Sequence, residues 1–147
     1  MADGVTLRQT DVHDANYEEI YNLREEVLRK PIGLSLKDED LSGDVKDVIF
    51  VAEKDNKIIG CVMMHPSDNS QMLKLRQMAV YDAWQAKGIG KLLVTKAEEY
   101  CRRHNVNRIV LHARVTAEPF YEKLGYIKTS GVFTEVGIPH VKMEKEI

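Results

Sequence analysis

Met78-Ala-Val-Tyr-Asp-Ala-Trp-Gln85-Ala-Lys-Gly88-Ile-Gly90-Lys-Leu-Leu93 is the stretch that decides the fold. An extended apolar approach runs into a turn with two glycines, and the turn opens directly into a helix. Backbone N–H groups at such a turn have no partner within the helix, and the positive end of the helix dipole lies behind them. The arrangement is an anion site, and phosphate is its usual guest. Gly88 and Gly90 let the backbone come close to a ligand and take dihedrals closed to other residues. Lys87 and Lys91 stand at a helix start, where the dipole disfavours cations. Their position makes sense if an anion sits between them.

Outward from this loop the chain reads as alternating elements. Val5 to Gln9 alternates apolar and polar residues, as a half-buried strand does. Asp14 is placed to cap a helix with the stripe Tyr17, Ile20, Tyr21, Val27 and Leu28, stopped by Pro31 and Gly33. Asp47–Glu53 and Lys57–His65 are apolar runs joined by the polar hairpin turn Lys54-Asp55-Asn56. After a turn at Pro66–Ser70, Gln71 to Tyr81 reads as a long strand. Ile89 to His104 reads as a helix with Leu92, Leu93, Ala97, Tyr100 and Cys101 on one face and Asn105 as a left-handed stop. Arg108 to Ala113 is a further strand. Thr116 is placed to cap a short helix through Leu124, with Pro119 in its first turn and Gly125 at its end. Strands at Tyr126–Thr129 and Val141–Glu144 follow. The order β-α-β-β-β-α-β-α-β-β predicts an α/β fold with helices packed on a mixed, mostly antiparallel sheet. The acidic segment Gly33–Asp47 reads as a loop joining the first helix to that sheet.

Composition narrows the classes. At 147 residues one domain, 1–147, is expected, since such a chain buries roughly two-thirds of its unfolded surface. Hydrophobic residues at 44% exclude an intrinsically disordered chain. A net charge of −2 speaks against a dedicated nucleic-acid binder. The apolar run Ile58–Met64 is far shorter than the ~20 residues of a membrane helix, so no membrane partner is expected. Met1-Ala2-Asp3-Gly4 opens without a basic-then-apolar stretch, which leads to an expectation of a cytoplasmic chain without a signal peptide. Cys61 and Cys101 then read as reduced core thiols. The five histidines form no H-x-x-x-H or Cys/His cluster, so no metal is expected.

Three kinds of phosphate loop compete for the glycine turn. A nucleotide P-loop needs a hydroxyl after Gly-Lys, where this chain has Leu92. A dinucleotide fingerprint needs a third glycine where this chain has Leu93, and an early βαβ unit. What remains is Gln85-x-x-Gly88-x-Gly90. In this setting it resembles the GNAT superfamily of acyl-CoA-dependent N-acetyltransferases, whose signature is R/Q-x-x-G-x-G/A between the fourth strand and the third helix. Leu75-Arg-Gln-Met-Ala-Val80 resembles the family's fourth strand. Phe120-Tyr121-Glu122-Lys123-Leu124-Gly125-Tyr126 matches the family motif F-Y-x-K-x-G-F/Y, and the order of elements from Val5 to Met143 agrees. The chain departs at Arg114, where many members carry Asn as a cofactor contact; Ala117 is retained. The ending Phe133 to Lys145, with Gly137-Ile-Pro-His140, resembles a subgroup of small bacterial acetyltransferases.

The resemblance implies the GNAT fold and transfer of acetyl from acetyl-CoA to a primary amine, within a ternary complex. It implies that the pyrophosphate lies on the loop residues Gln85, Ala86, Lys87, Gly88, Ile89, Gly90 and Lys91. Met78 and Val80 would pair with the pantetheine arm, and an N–H near Met78 or Ala79 would face the thioester carbonyl. Tyr121 aligns with the tyrosine that protonates the departing thiolate; a phenol is a donor at neutral pH. Glu135, His140 and His112 are candidates for binding the amine or moving its proton. Arg24, Glu25 and Glu26, with the acidic loop behind them, are expected to border the acceptor cleft, where an acidic rim would attract a cationic amine; a solvated charged face explains the same residues. The partner expected is a small-molecule or peptide amine, and relatives are often homodimers. An acyl-CoA-binding sensor without turnover is the alternative from another class, and an interaction domain with an incidental glycine turn is a third.

Overall fold

Val48–Lys54 and Lys57–Pro66 carry apolar side chains on both faces, and strands of that kind belong inside a sheet covered on both sides. The computed structural model, which describes residues 4–147, puts them there. Among the described residues eight strands form one sheet: β1 (Thr6–Thr10), β2 (Val48–Lys54), β3 (Lys57–Pro66), β4 (Met72–Val80), β5 (Arg108–Arg114), β6 (Ile127–Lys128), β7 (Phe133–Glu135) and β8 (Ile138–Glu146). The helices are α1 (Tyr17–Arg24), α2 (Ile89–Arg103) and α3 (Glu118–Lys123). Neighbours run β1-β2-β3-β4-β5-β8-β6, with β7 also on β8. Every pair is antiparallel except β4 with β5.

Successive strand residues point to opposite faces, so each central strand feeds two cores. Ile49, Val51, Cys61 and Met63 meet Ile20 and Leu23 of α1. Phe50, Ala52, Ile59 and Val62 meet Ile89, Leu93, Ala97 and Cys101 of α2. Both thiols are buried, as expected, and burial pushes them up, Cys61 to about 12 and Cys101 to about 11. The start of α2 beds closely on β3 because Gly60 has no side chain. A Cβ there would lie 3.2 Å from Ile89 Cγ2 and 3.2 Å from Leu93 Cδ1.

Several local expectations change. Asp14 does not cap α1; its carboxylate accepts from Arg8, from Thr10 and from the Asn16 N–H, tying β1 to the turn before the helix. Past Arg24 the first helix continues as a π-helical turn, Glu25–Arg29, and a 3-10 turn, Lys30–Ile32, before Gly33 stops it at φ +75°. The acidic loop has structure of its own, with 3-10 turns at Leu36–Asp38 and Ser42–Lys46. Glu25 organises the first of these by accepting from the Ser35 hydroxyl at 2.6 Å and the Leu36 N–H at 3.0 Å. Thr116 lies inside a 3-10 turn, and Ala117 is the residue that precedes α3. The chain's last part holds three strands instead of two. Val136 (φ +47°) and Gly137 (φ +77°) form a two-residue hairpin between Glu135 and Ile138, with the paired positive dihedrals that suit the twist of flanking strands. The reading of Met1–Asp3 lies outside the described residues.

The close approach at Gly60 yields a stability test. Gly60→Val is expected to cost about 1–3 kcal/mol by overpacking. A urea melt checks it: the midpoint should fall with the slope unchanged.

Candidate active site

A parallel pair that stops short leaves backbone groups without partners. β4 pairs with β5 only over Met72–Leu75 against Arg108–Leu111. Beyond that point β4 stays on β3, with Ala79 opposite Cys61 and Val80 opposite Gly60. β5 stays on β8, with His112 opposite Lys142 and Arg114 opposite His140. The two strands therefore part inside the sheet, and the β5-facing backbone of Arg76–Val80 has no ladder partner. An extended ligand adds itself to such an edge by main-chain hydrogen bonds.

A bulge sits at the parting. Arg76 opposes Met63 and Ala79 opposes Cys61, so Gln77 and Met78 together oppose Val62. Gln77 takes φ +53°, a left-handed conformation that costs a side-chain-bearing residue roughly 1–2 kcal/mol. The extra residue shifts the strand's phase. Leu73 and Leu75 face α2 before it, and Met78 and Val80 face α2 after it, while Ala79 turns to the α1 side.

From Val80 the chain enters the glycine loop through a 3-10 turn at Asp82–Trp84. Ala86 (φ +61°) and Gly88 (φ +83°) reverse the backbone twice. The helix's first bond runs from the Leu92 N–H to the Gly88 carbonyl at 3.1 Å, leaving the N–H groups of Ile89, Gly90 and Lys91 outside the ladder. Lys87 and Lys91 are exposed at its two ends. Gln85, also exposed, bends back along the loop: its amide donates to the Val80 carbonyl at 2.9 Å and to Asp82 at 3.2 Å, bracing the loop. Gly88 is required by its dihedral, whereas Gly90 is required by a neighbour. A Cβ at Gly90 would lie 3.1 Å from Phe120 Cζ, so the loop and the Phe120-Tyr121 motif are in contact. A cleft of about 440 Å³ lies beside the loop, lined by Val27, Ile58, Tyr81 and Trp84 together with the carboxylates Glu26 and Asp82.

Tyr121 on α3 is 6% exposed, its ring edge-on to Phe120 and to Tyr126. Its hydroxyl has no hydrogen-bond partner among the described residues, yet no buried side-chain oxygen or nitrogen among them goes unpaired. The oxygen is therefore not sealed off from solvent. Burial pushes the phenol above its usual value and keeps it protonated. Tyr126, by contrast, donates to Glu98 at 3.0 Å inside the protein.

A second cluster gathers at the parting. His112 Nδ1 lies 2.8 Å from Glu135 Oε1, and His140 Nε2 lies 3.8 Å from Glu135 Oε2. Phe133 packs edge-on to His112 and stacked on His140. Burial raises the Glu135 carboxyl, but the His112 hydrogen bond and the charges of His112, His140 and Lys74 outweigh it and hold it below its ordinary value. His140 is buried and its Nδ1–H donates to the Ile138 carbonyl at 2.9 Å. His112, Arg114 and His140 alternate with Ala113 and Val141, which face α2, so the cluster stands on the α1 face. Arg114 confirms the side by donating to the Leu28 carbonyl at 2.7 Å, and burial lowers its guanidinium. Tyr121 and the histidine–carboxylate cluster thus flank the wedge from opposite faces of the sheet.

Arg24 is not on a solvated rim. It is 1% exposed and inside an ion-pair chain with Asp44, Arg76, Asp47 and His65. Neither Arg24's burial nor the Gln77 bulge follows from apolar periodicity, which reads Gln71–Tyr81 as one regular strand. Among the described residues no group of His, Cys, Asp or Glu could hold a metal, and no helix is long and apolar enough to cross a membrane.

Comparison with known proteins agrees with this geometry. The family model for the acetyltransferase (GNAT) domain matches residues 13–147. ElaA of Escherichia coli K12 is 26% identical over 111 residues, 74% of this chain and 71% of ElaA. The crystal structure of Escherichia coli ElaA shares the fold with a TM-score of 0.85 at 20% identity, over 97% of this chain and 99% of that one. The uncharacterized protein YyaT of Bacillus subtilis is 39% identical over 74 residues, half of each chain. A GNAT family acetyltransferase from Elizabethkingia anophelis, solved with acetyl-CoA bound, has a TM-score of 0.73 at 20% identity over 99% of each chain. The parted strands, the glycine loop and the Phe120-Tyr121 motif lie within one matched fold, and the chain belongs to the GNAT acetyltransferase family.

Proposed function

We propose that the chain transfers the acetyl group of acetyl-CoA to a primary amine by direct attack in the wedge between β4 and β5. One observation carries the reading. The unpaired edge of β4 leads, through the 3-10 turn and the glycine loop, to the N–H groups of Ile89, Gly90 and Lys91 outside the helical ladder, with a tyrosine hydroxyl on one face and an oriented histidine on the other. The length of that edge suits a pantetheine arm and its end suits a pyrophosphate. The bound acetyl-CoA of the Elizabethkingia anophelis relative supports the same assignment.

In this reading the backbone of Ala86, Lys87, Gly88, Ile89, Gly90 and Lys91 holds the pyrophosphate, and Gln85 keeps the loop in shape. Met78 and Val80 pair with the pantetheine amides. An N–H near Met78 or Ala79 stabilises the oxyanion that forms as nitrogen attacks the carbonyl, worth a few kcal/mol in such sites. Glu135 accepts a hydrogen bond from the His112 Nδ1–H and so leaves Nε2 as an acceptor, the tautomer a general base needs. His140, buried and bonded to Ile138, holds Glu135 from the other side. Nitrogen bonds to the acetyl carbon, the carbon–sulfur bond breaks, and Tyr121 gives its proton to sulfur. Of the two protons the ammonium sheds, one leaves through His112 to solvent and the other restores Tyr121.

Two variants test the roles through thiol release with a panel of amines. Tyr121→Phe removes an oxygen without a protein partner, so its thermal midpoint should match the parent. Its turnover should fall about 100-fold while the acetyl-CoA KM stays within a few-fold. A lowered midpoint with no separate loss of turnover would mean that the side chain only packs. His112→Ala should lose about 100-fold at pH 7 and progressively less towards pH 10, where the amine sheds its own proton. An equal loss at every pH would contradict the base assignment.

A further inference from the structure

We propose that Arg24, on the first helix, is a positioning residue that holds the β4 bulge in the phase that turns the strand's unpaired N–H groups toward the acyl thioester; this rests on the acetyl-CoA reading above. Arg24 Nε donates to Gln77 Oε1 at 2.9 Å, across 53 positions of sequence. Its Nη1 donates to the Tyr17 hydroxyl at 2.9 Å and to Asp44 Oδ2 at 3.0 Å. Asp44 is paired in turn with Arg76, whose Nε reaches Asp47 Oδ2 at 3.1 Å. A guanidinium with 1% exposure and bonds to three different segments has one allowed position.

What it holds is the one residue of β4 that a strand would not tolerate by itself. Gln77 carries a Cβ at φ +53° in the middle of a nine-residue strand. Its side chain and that of Arg76 both lie on the α1 face, against the alternation of a regular strand, because the bulge intervenes. The Gln77 carbonyl is held as well, by the Cys61 thiol at 3.4 Å. If the bulge flattened, every residue from Met78 to Val80 would change faces, since one step of register reverses a strand. Met78 and Val80 would leave the α2 core, and the N–H groups that now point into the wedge would turn to β3. The bulge thus sets the aim of the donors, and Arg24 sets the bulge. A surface arginine on the same helix could do neither.

The test uses acetyl-CoA labelled with carbon-13 at the thioester carbonyl. Calorimetry gives its affinity, and the carbonyl's infrared band and carbon-13 shift report the hydrogen bond it receives. The parent protein should bind it and polarise the carbonyl. Arg24→Met should bind within a few-fold of the parent while the carbonyl signals return toward their solution values, with turnover down 10- to 100-fold. Because Arg24→Met leaves charges behind, Gln77→Met is the gentler companion; it keeps the Arg24–Asp44 pair, removes only the acceptor, and should show the same loss of polarisation. Adding Gln77→Gly to Arg24→Met should restore at least half of the carbonyl shift, since glycine takes the left-handed dihedral without help. A merely structural arginine would give no such rescue. An unchanged carbonyl signal in Arg24→Met and Gln77→Met, or no recovery with glycine, overturns the proposal while leaving the acetyl-CoA reading intact. Failure of the parent to bind acetyl-CoA overturns both.

Discussion

The hydrogen-bond ladder between β4 and β5 ends at Leu75 and Leu111, and the rest of the site depends on that termination. Each strand is secured on its far side, β4 by β3 and β5 by β8, so the parting leaves neither strand loose. Buried backbone N–H and C=O groups are costly without partners. A sheet that forgoes pairing at its centre, instead of at its edge, keeps that place open to something that can complete it. The cost is borne by two extended cores, one on each face, both built from the alternating side chains of β2 and β3.

The same strands also separate two chemistries. Tyr121 belongs to the α2 face and its hydroxyl has no partner among the described residues; on the α1 face His112 is hydrogen-bonded to Glu135, and His140 lies 3.8 Å from the same carboxylate. Standing on opposite faces, the hydroxyl and the cluster approach each other only through the wedge. The loop is tied into this arrangement from behind, because Phe120 packs where a side chain on Gly90 would be. The position of Tyr121 and the position of the loop are in that sense one packing problem.

Much of this was legible in the residues. The strand-turn-helix around Gly88 and the helix stop at Asn105 are readable because glycine and asparagine signal left-handed backbone. The mostly antiparallel sheet followed from short turns between apolar runs. What was not legible depends on partners distant in sequence. Asp14 looks like a cap until Arg8 is beside it. Arg24 looks like a surface charge until Asp44 and Gln77 surround it. The Phe133–Glu135 strand is three residues long and is a strand only because β8 pairs with it. His112 and His140 are candidates by residue type alone. Their different surroundings, His112 partly exposed beside Glu135 and His140 sealed against Ile138, come from the hairpin that carries Glu135.

The most direct test of the acyl-CoA wedge is a calorimetric titration of the unmodified protein with acetyl-CoA, read together with its melting temperature across ligand concentrations. A ligand that binds only the folded chain raises stability with the logarithm of its concentration over its dissociation constant. Saturable binding of one acetyl-CoA per chain with a matching rise in melting temperature is the predicted result. No heat and no shift at millimolar ligand would contradict it, and would leave the parted strands without the guest their geometry calls for.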